Sequence, residues 1–300
     1  MTNQAGLSRR VFLIRSSLAT GGLIAGPALL SACSKADTGT SGSRLDGLRS
    51  EGKITVGIAG EQPYAFLDKG QLTGQDPTVQ KAIWNAVGIE EVVAKQVAFD
   101  SLIPGLNAGE FDAIAAGMFI NPERCGQAAF SEPVYCAPNA FMVPPGNPDN
   151  LSDFESVAAA GIKLGVLGGA VEGEFARGAG VSGGNIVTVP DMPTGVTQLE
   201  QGRIQAIGLT SITLNWALEQ DPDIEAEVTE AFTPVVDGEE VLGCGAAVFR
   251  KEDTDLVEAF NEELAKLKES GELTELIEPF GFGPETLPPE GVTTESLCAG

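Results

Sequence analysis

The chain contains no histidine. That absence removes histidine-based catalytic triads, most zinc sites and the commonest general base. A Cys-x-x-Cys pair is also missing, so neither a metal nor any other cofactor is expected. Positive charge is scarce, with 18 Lys and Arg against 42 Asp and Glu in 300 residues. Past the N-terminal stretch, no transmembrane or signalling segment follows the last strand–helix unit before Gly300, which disfavours the sensor domain of a receptor.

What is present begins with residues 1–33. Arg9 and Arg10 stand in Ser8-Arg-Arg-Val-Phe-Leu13, ahead of the mostly apolar stretch Leu18–Leu30 and then Leu30-Ser-Ala-Cys33. A positive n-region, an apolar h-region and small residues before a cysteine define a secretory signal. The twin arginines resemble a Tat signal, and Leu-Ser-Ala-Cys resembles a lipobox whose Cys33 is diacylated. The expectation is an exported protein held by lipid at Cys33 on the outer, periplasmic face of the cytoplasmic membrane. Gly and Pro interrupt the apolar stretch, which argues against a spanning anchor. Residues 34–50 have little apolar content and read as a flexible tether.

The signal holds three of the 18 basic residues and none of the 42 acidic ones, which leaves 15 against 42, a net charge of −27. Such a surface disfavours nucleic acid or anionic lipid as a partner. Four cysteines remain, Cys125, Cys136, Cys244 and Cys298. An even number in an exported domain suggests two disulfides, with three possible pairings. The expected pairing is Cys125–Cys136, close in sequence, with Cys244–Cys298 tying down the tail; four free thiols are the alternative.

Alternating strands and helices run through the folded part. Lys53–Ala59 reads as a strand, 66–74 as a hairpin turning near Lys69-Gly70, and Pro77–Val87 as a helix with Trp84 on its apolar face. Strands follow at 91–98 and 111–120, separated by a short helix that Asp100 caps. The pattern breaks at Pro145-Gly-Asn-Pro-Asp-Asn150 and resumes with strands at 163–167, 185–190, 205–209 and 244–249. Thr254–Ser270 is amphipathic, and the tail is rich in Pro, Gly and Thr. This order predicts an α/β fold of two lobes, each a mostly parallel sheet flanked by helices. The expected division gives 51–141 and 242–300 to lobe I and 142–241 to lobe II. Two crossings make a two-stranded hinge, and the cleft of such a clamshell is the natural ligand site.

One stretch carries the chemistry. Asn121 reads as a helix N-cap, with Pro122 at the first helical position and Glu123 behind it. Arg124 then falls in a first turn that favours negative charge and disfavours a cation. Its placement there makes sense if an anion shares the site, and guanidinium matches a carboxylate in bidentate geometry. The other reading is an ion pair with Glu123 or Glu132.

Gly109-Glu-Phe-Asp-Ala113, Gly117-Met-Phe-Ile-Asn-Pro-Glu-Arg124 and Phe130-Ser-Glu-Pro-Val-Tyr135 resemble the core signature of the polar amino-acid solute-binding proteins of ABC importers (family 3). The resemblance implies a type II periplasmic-binding-protein clamshell, a monomer and not an enzyme, that delivers a solute to permease subunits. It also implies that Arg124 grips a ligand carboxylate. Thr210 stands where amino-acid binders of the family usually have an aspartate, and Phe119-Ile-Asn121 where they have Thr-Ile-Thr, so a standard α-amino acid is disfavoured. Tyr64, Phe99 and Phe119 sit at or past strand C-terminal ends, where rings suit a diffuse cation.

This set is similar to that of the ectoine/hydroxyectoine-binding proteins, a compatible-solute, osmoprotective class. That similarity implies an amidinium held by Glu61 and the three rings and a carboxylate on Arg124, with Gly117, Val171 and Thr210 completing the ligand set. Val171 departs from the hydroxyl residue expected there. The alternatives are a polar amino acid, another compatible solute, or an exported dehydratase with Glu61 as its acid or base.

Overall fold

A computed structural model describes residues 43–236 and 238–299. The expected signal, the lipidation at Cys33 and residues 34–42 of the expected tether lie outside them; residues 44–50, expected as tether, are instead helical, because Leu45 and Leu48 bury themselves in the core.

The first lobe opens with α1 (Arg44–Glu51), β1 (Lys53–Ile58) and the hairpin β2 (Phe66–Asp68) and β3 (Gln71–Thr73). Lys69 and Gly70 turn that hairpin at φ of 49° and 82°, the left-handed pair a two-residue turn demands. Helix α2 (Gln75–Ala86) packs Trp84 wholly inside, its ring edge-on to Phe249 at 6.0 Å and its indole N–H on Gln80 Oε1 at 3.1 Å. Next come β4 (Glu91–Gln96), α3 (Leu102–Asn107), β5 (Ala113–Phe119), α4 (Pro122–Gln127), β6 (Ala129–Phe130) and β7 (Tyr135–Cys136). Ser101 rather than Asp100 occupies the N-cap of α3, because a single 3₁₀ turn over Phe99–Ser101 takes up Asp100 first.

The second lobe holds β8 (Asn139–Val143), α5 (Phe154–Ala160), β9 (Leu164–Leu167), α6 (Glu172–Gly178), β10 (Ile186–Val189) and α7 (Met192–Glu200). It continues through β11 (Ala206–Thr210), α8 (Ser211–Gln220), β12 (Glu227–Val228) and a small hairpin, β13 (Val235–Val236) with β14 (Glu239–Glu240). Strand β15 (Cys244–Phe249), α9 (Thr254–Ser270), α10 (Glu272–Ile277) and α11 (Thr294–Ala299) complete the chain on the first lobe. Leu256, Phe260 and Leu264 bury one face of α9, each worth about 1.5–3 kcal/mol when removed from water.

Two sheets result. The first runs β4-β1-β5-β15-β6, with β4, β1 and β5 parallel, β15 antiparallel to β5, and β7 beside β15. The second runs β10-β9-β11-β8-β12, with β10, β9 and β11 parallel and β8 and β12 antiparallel additions. Strand β8 belongs to the second sheet from its first residue, so the outward crossing falls at Ala137-Pro138, ahead of residue 141. The return segment runs beside it: Asn139 and Phe232 exchange backbone hydrogen bonds, and the Ala137 N–H donates to Gly243 O.

The disulfides are Cys125–Cys298 and Cys136–Cys244, which corrects the pairing expected from sequence proximity. Cys136 and Cys244 sit directly opposite in the β7–β15 ladder. Cys125 lies on α4, and the tail, read as Pro-, Gly- and Thr-rich, coils into α11 and lays Cys298 against that helix. Thr294 at the start of α11 donates its hydroxyl to Ser131 O, which fixes the approach.

Candidate functional site

The parallel strands of each lobe end at the interlobe cleft. Past β1, the loop places Glu61 and Tyr64; past β4, the 3₁₀ turn presents Phe99; β5 ends in Phe119, and Asn121 starts α4. Asn121 Oδ1 accepts the Arg124 N–H at 2.8 Å, the N-cap bond read from the sequence. All eight residues singled out there, Glu61, Tyr64, Phe99, Gly117, Phe119, Arg124, Val171 and Thr210, line one cavity of about 30 Å³.

Arg124 is buried, and burial pulls its pKa down against the opposing field of Glu172 and Glu174. It forms no ion pair with Glu123 or Glu132. Its guanidinium donates instead to two backbone carbonyls, Phe119 O at 2.6 Å in its own lobe and Gly169 O at 2.9 Å across the cleft. It also stands 5.5 Å from the centre of the Phe99 ring.

Facing it are two carboxylates. Burial pushes the Glu61 pKa up to about 7, with the field of Glu172 adding to the rise and the Thr213 hydroxyl, which donates to Glu61 Oε1 at 2.8 Å, opposing it. Glu172 opens α6 and is buried; its pKa also rises by burial, opposed by the helix-end N–H, by Asn139, which donates at 2.9 Å, and by Arg124. Thr210 caps α8 and receives the Tyr64 hydroxyl at 3.0 Å. Tyr64, Thr210, Thr213 and Glu61 therefore form one hydrogen-bonded chain that crosses the cleft twice.

Gly117 is where backbone and ring meet. It adopts φ +59°, and a Cβ there would lie 2.2 Å from the Tyr64 ring. Its N–H is held by the buried Asp76 carboxylate at 3.0 Å and its carbonyl by the Tyr135 hydroxyl at 2.7 Å. Burial raises Asp76 to about 6, opposed by its hydrogen bonds from the Gly117 N–H, the Gln80 amide and the Ala116 N–H. Tyr64 in turn packs on Tyr135 and Phe282 at 5.4 and 5.3 Å, so the ring is both a wall of the cavity and part of the core. Gly117→Ala is expected to cost at least about 1–2 kcal/mol in backbone strain alone, plus displacement of Tyr64. Thermal unfolding and ligand titration read both losses, and wild-type values for each would show that the Tyr64 ring yields freely.

Sequence reasoning missed Glu172, Tyr135 and Thr213. Glu172 reads as an ordinary first-turn acid of a helix. Tyr135 lay inside a recognised motif without a role, and no local pattern marks Thr213, which acts through Glu61 on the other lobe.

Two α/β lobes joined by two crossing segments, with charged and aromatic side chains enclosed between them, define a solute-binding clamshell of the type II periplasmic-binding-protein class. Residues 54–284 match the bacterial extracellular solute-binding proteins, family 3, and the chain belongs to that family. It is a solute-binding protein of an amino-acid-type ABC importer. A probable amino-acid ABC transporter periplasmic-binding protein, y4tE of Sinorhizobium fredii (strain NBRC 101917 / NGR234), is 32% identical over 85% of this chain and 86% of its own. Among solved structures, EhuB in complex with hydroxyectoine is 37% identical, covering 85% of this chain and 97% of that one at a TM-score of 0.78. An ancestral arginine-binding protein bound to arginine is 27% identical, covering 76% and 98% at 0.67. Among the described residues no helix is long and apolar enough to cross a membrane.

Proposed function

We propose that this protein captures a compact zwitterion with a carboxylate and a delocalised cation, ectoine or hydroxyectoine, and hands it to an ABC permease. Export by a Tat-type signal and a lipid anchor at Cys33 belong to the same reading. The observation that carries it is the composition of the small cavity: one guanidinium, the buried Glu172 carboxylate, the partly buried Glu61 carboxylate, and the rings of Tyr64, Phe99 and Phe119 at first-lobe strand ends. The ligand carboxylate would take the place of the carbonyls that Arg124 now bonds. An amidinium would lie against the rings, with cation–π contacts of about 0.5–2 kcal/mol each, and direct its N–H groups to Glu61 and Glu172. The likeness to EhuB with hydroxyectoine supports this choice.

Calorimetry with ectoine, hydroxyectoine and a panel of amino acids tests it. Heat from glutamine or arginine with none from either ectoine would defeat the ligand assignment. One observation favours that second reading, a polar amino acid: Glu172 supplies a buried anion to pair with an α-ammonium where Thr210 does not.

A pH dependence follows from Glu61. Its pKa in the folded protein, about 7, lies above the ordinary 4.5, so the empty site holds a proton through that window. A cation beside the carboxylate favours the charged form, and binding should expel the proton. Affinity is therefore expected to rise from pH 5 to pH 7 and to level above it. Titrations at pH 6 in buffers of different ionisation enthalpy should show net proton release. Proton uptake, or an affinity flat across this range, would remove Glu61 from contact with the cation.

A further inference from the structure

Beside the small cavity runs a groove of about 530 Å³ between α7 and α8 of the second lobe, closed on one side by the loop after β1. Glu61, Phe99 and Leu209 stand in the walls of both spaces, so groove and cavity adjoin. Its apolar sides are Met192 and Val196 on α7, Trp216 and Ala217 on α8, and Ile224 beyond. The Trp216 indole N–H donates to Gln62 Oε1 at 3.1 Å, a bond between the lobes that sets the ring at the groove wall. None of the lining residues is Lys or Arg, whereas Asp191, Glu200, Asp221 and Asp223 line it together with Glu61. None of these five acids is ion-paired among the described residues. Glu61 bonds Thr213 through Oε1 alone.

We propose that this groove is a second binding site, for an organic cation with an apolar body, such as an alkylammonium or alkylguanidinium group. The chemistry is complementary on both counts. An apolar chain against Met192, Val196, Trp216 and Ile224 leaves water, and the indole face attracts a diffuse cation. The acids pair with the charge without any basic residue to compete, and they repel anions. The identity of the solute in the small cavity does not decide this site, because Asp191, Glu200, Asp221 and Asp223 line the groove alone and Glu61 is the one acid the two spaces share.

The full mature chain is titrated with hexyltrimethylammonium, and tryptophan emission is followed. Trp84 is wholly buried in the first lobe, so a change reports Trp216. Saturable binding is expected for this probe, at least about tenfold weaker binding for tetramethylammonium, which lacks the chain, and none for hexanoate. Val196→Phe, which narrows the groove without adding another indole, should abolish the response. The paired change Asp221→Asn with Asp223→Asn, at exposed positions that leave the fold intact, should weaken binding about three- to tenfold. Arg124→Ala should leave it within about threefold, whereas solute binding at the small cavity weakens about 30- to 150-fold. Equal binding of hexanoate, an unaltered titration in both groove variants, or loss of the probe in Arg124→Ala would each overturn the proposal. The last outcome would place the cation in the small cavity. Failure of ectoine to bind, with the hexyltrimethylammonium response retained, would sink the solute assignment and leave the groove site standing.

Discussion

Arg124→Ala is expected to weaken solute binding by about 30- to 150-fold, or 2–3 kcal/mol, the range for one partner lost from a buried charge-assisted pair. Two features of the site set that size. The guanidinium is buried, so its attraction for a carboxylate is little screened. It also forms no ion pair among the described residues and donates to the carbonyls of Phe119 and Gly169, so a ligand carboxylate has no salt bridge to displace. The variant should keep its thermal midpoint within a few degrees, because no ion pair of the fold depends on this side chain. Arg124→Lys separates charge from shape: a point charge retains part of the attraction but not the bidentate fit, and intermediate affinity is expected. Calorimetry on the three proteins decides the matter. An unchanged dissociation constant in Arg124→Ala would take the arginine out of the site, and with it the carboxylate end of the proposed ligand.

The residues at the first-lobe strand ends were legible because their signals are local. An Asn-Pro-Glu-Arg run after an apolar strand specifies a cap and places Arg124 at the cleft whatever the rest of the chain does. The same holds for α9 and β15, whose periodicity and apolar run match the observed Thr254–Ser270 and Cys244–Phe249. What was not legible depends on contacts distant in sequence. Thr213 meets Glu61 from 152 positions away, and Asn139 meets Glu172 across the second lobe. Nothing within either window distinguishes Thr213 and Glu172 from routine first-turn polar groups, or Asn139 from an ordinary strand-end amide. The cysteines make the same point. Proximity in sequence favoured Cys125–Cys136, but Cys125 lies on α4 and Cys136 on β7 with β6 between them, and sheet register and tail packing decide the partners. The 530 Å³ groove is likewise invisible in sequence, because α7 and α8 face each other only once β11 has been placed between their ends.

Replacing Cys136 and Cys244 together with alanine should produce a large loss of stability. The bond joins residues 108 apart, and the loop it closes contains the whole second sheet with its helices. A loop near 100 residues corresponds to about 4.7 kcal/mol of unfolded-chain entropy, with native disulfides usually measured at 2–5. At about 2–4 °C per kcal/mol for a domain of this size, the thermal midpoint should fall by roughly 4–20 °C. Replacing both cysteines leaves no odd thiol to form a new bridge. The position adds a second consequence. Cys136 precedes the outward crossing at Ala137-Pro138, and Cys244 follows the return segment, so the bond clamps both crossings at the first lobe. Without it, non-covalent contacts alone resist lobe separation: the β7–β15 ladder, the backbone bonds between the crossing segments and the bonds across the cleft. Scattering of the variant should therefore show a larger radius of gyration than wild type, and saturating ligand should remove the difference. The paired change Cys125→Ala with Cys298→Ala is the contrast. It frees α11 from α4 at one edge of the first lobe and should lower stability without altering the separation of the lobes. Equal radii in the two double variants would mean that the Cys136–Cys244 bond contributes to stability alone and does not govern the hinge.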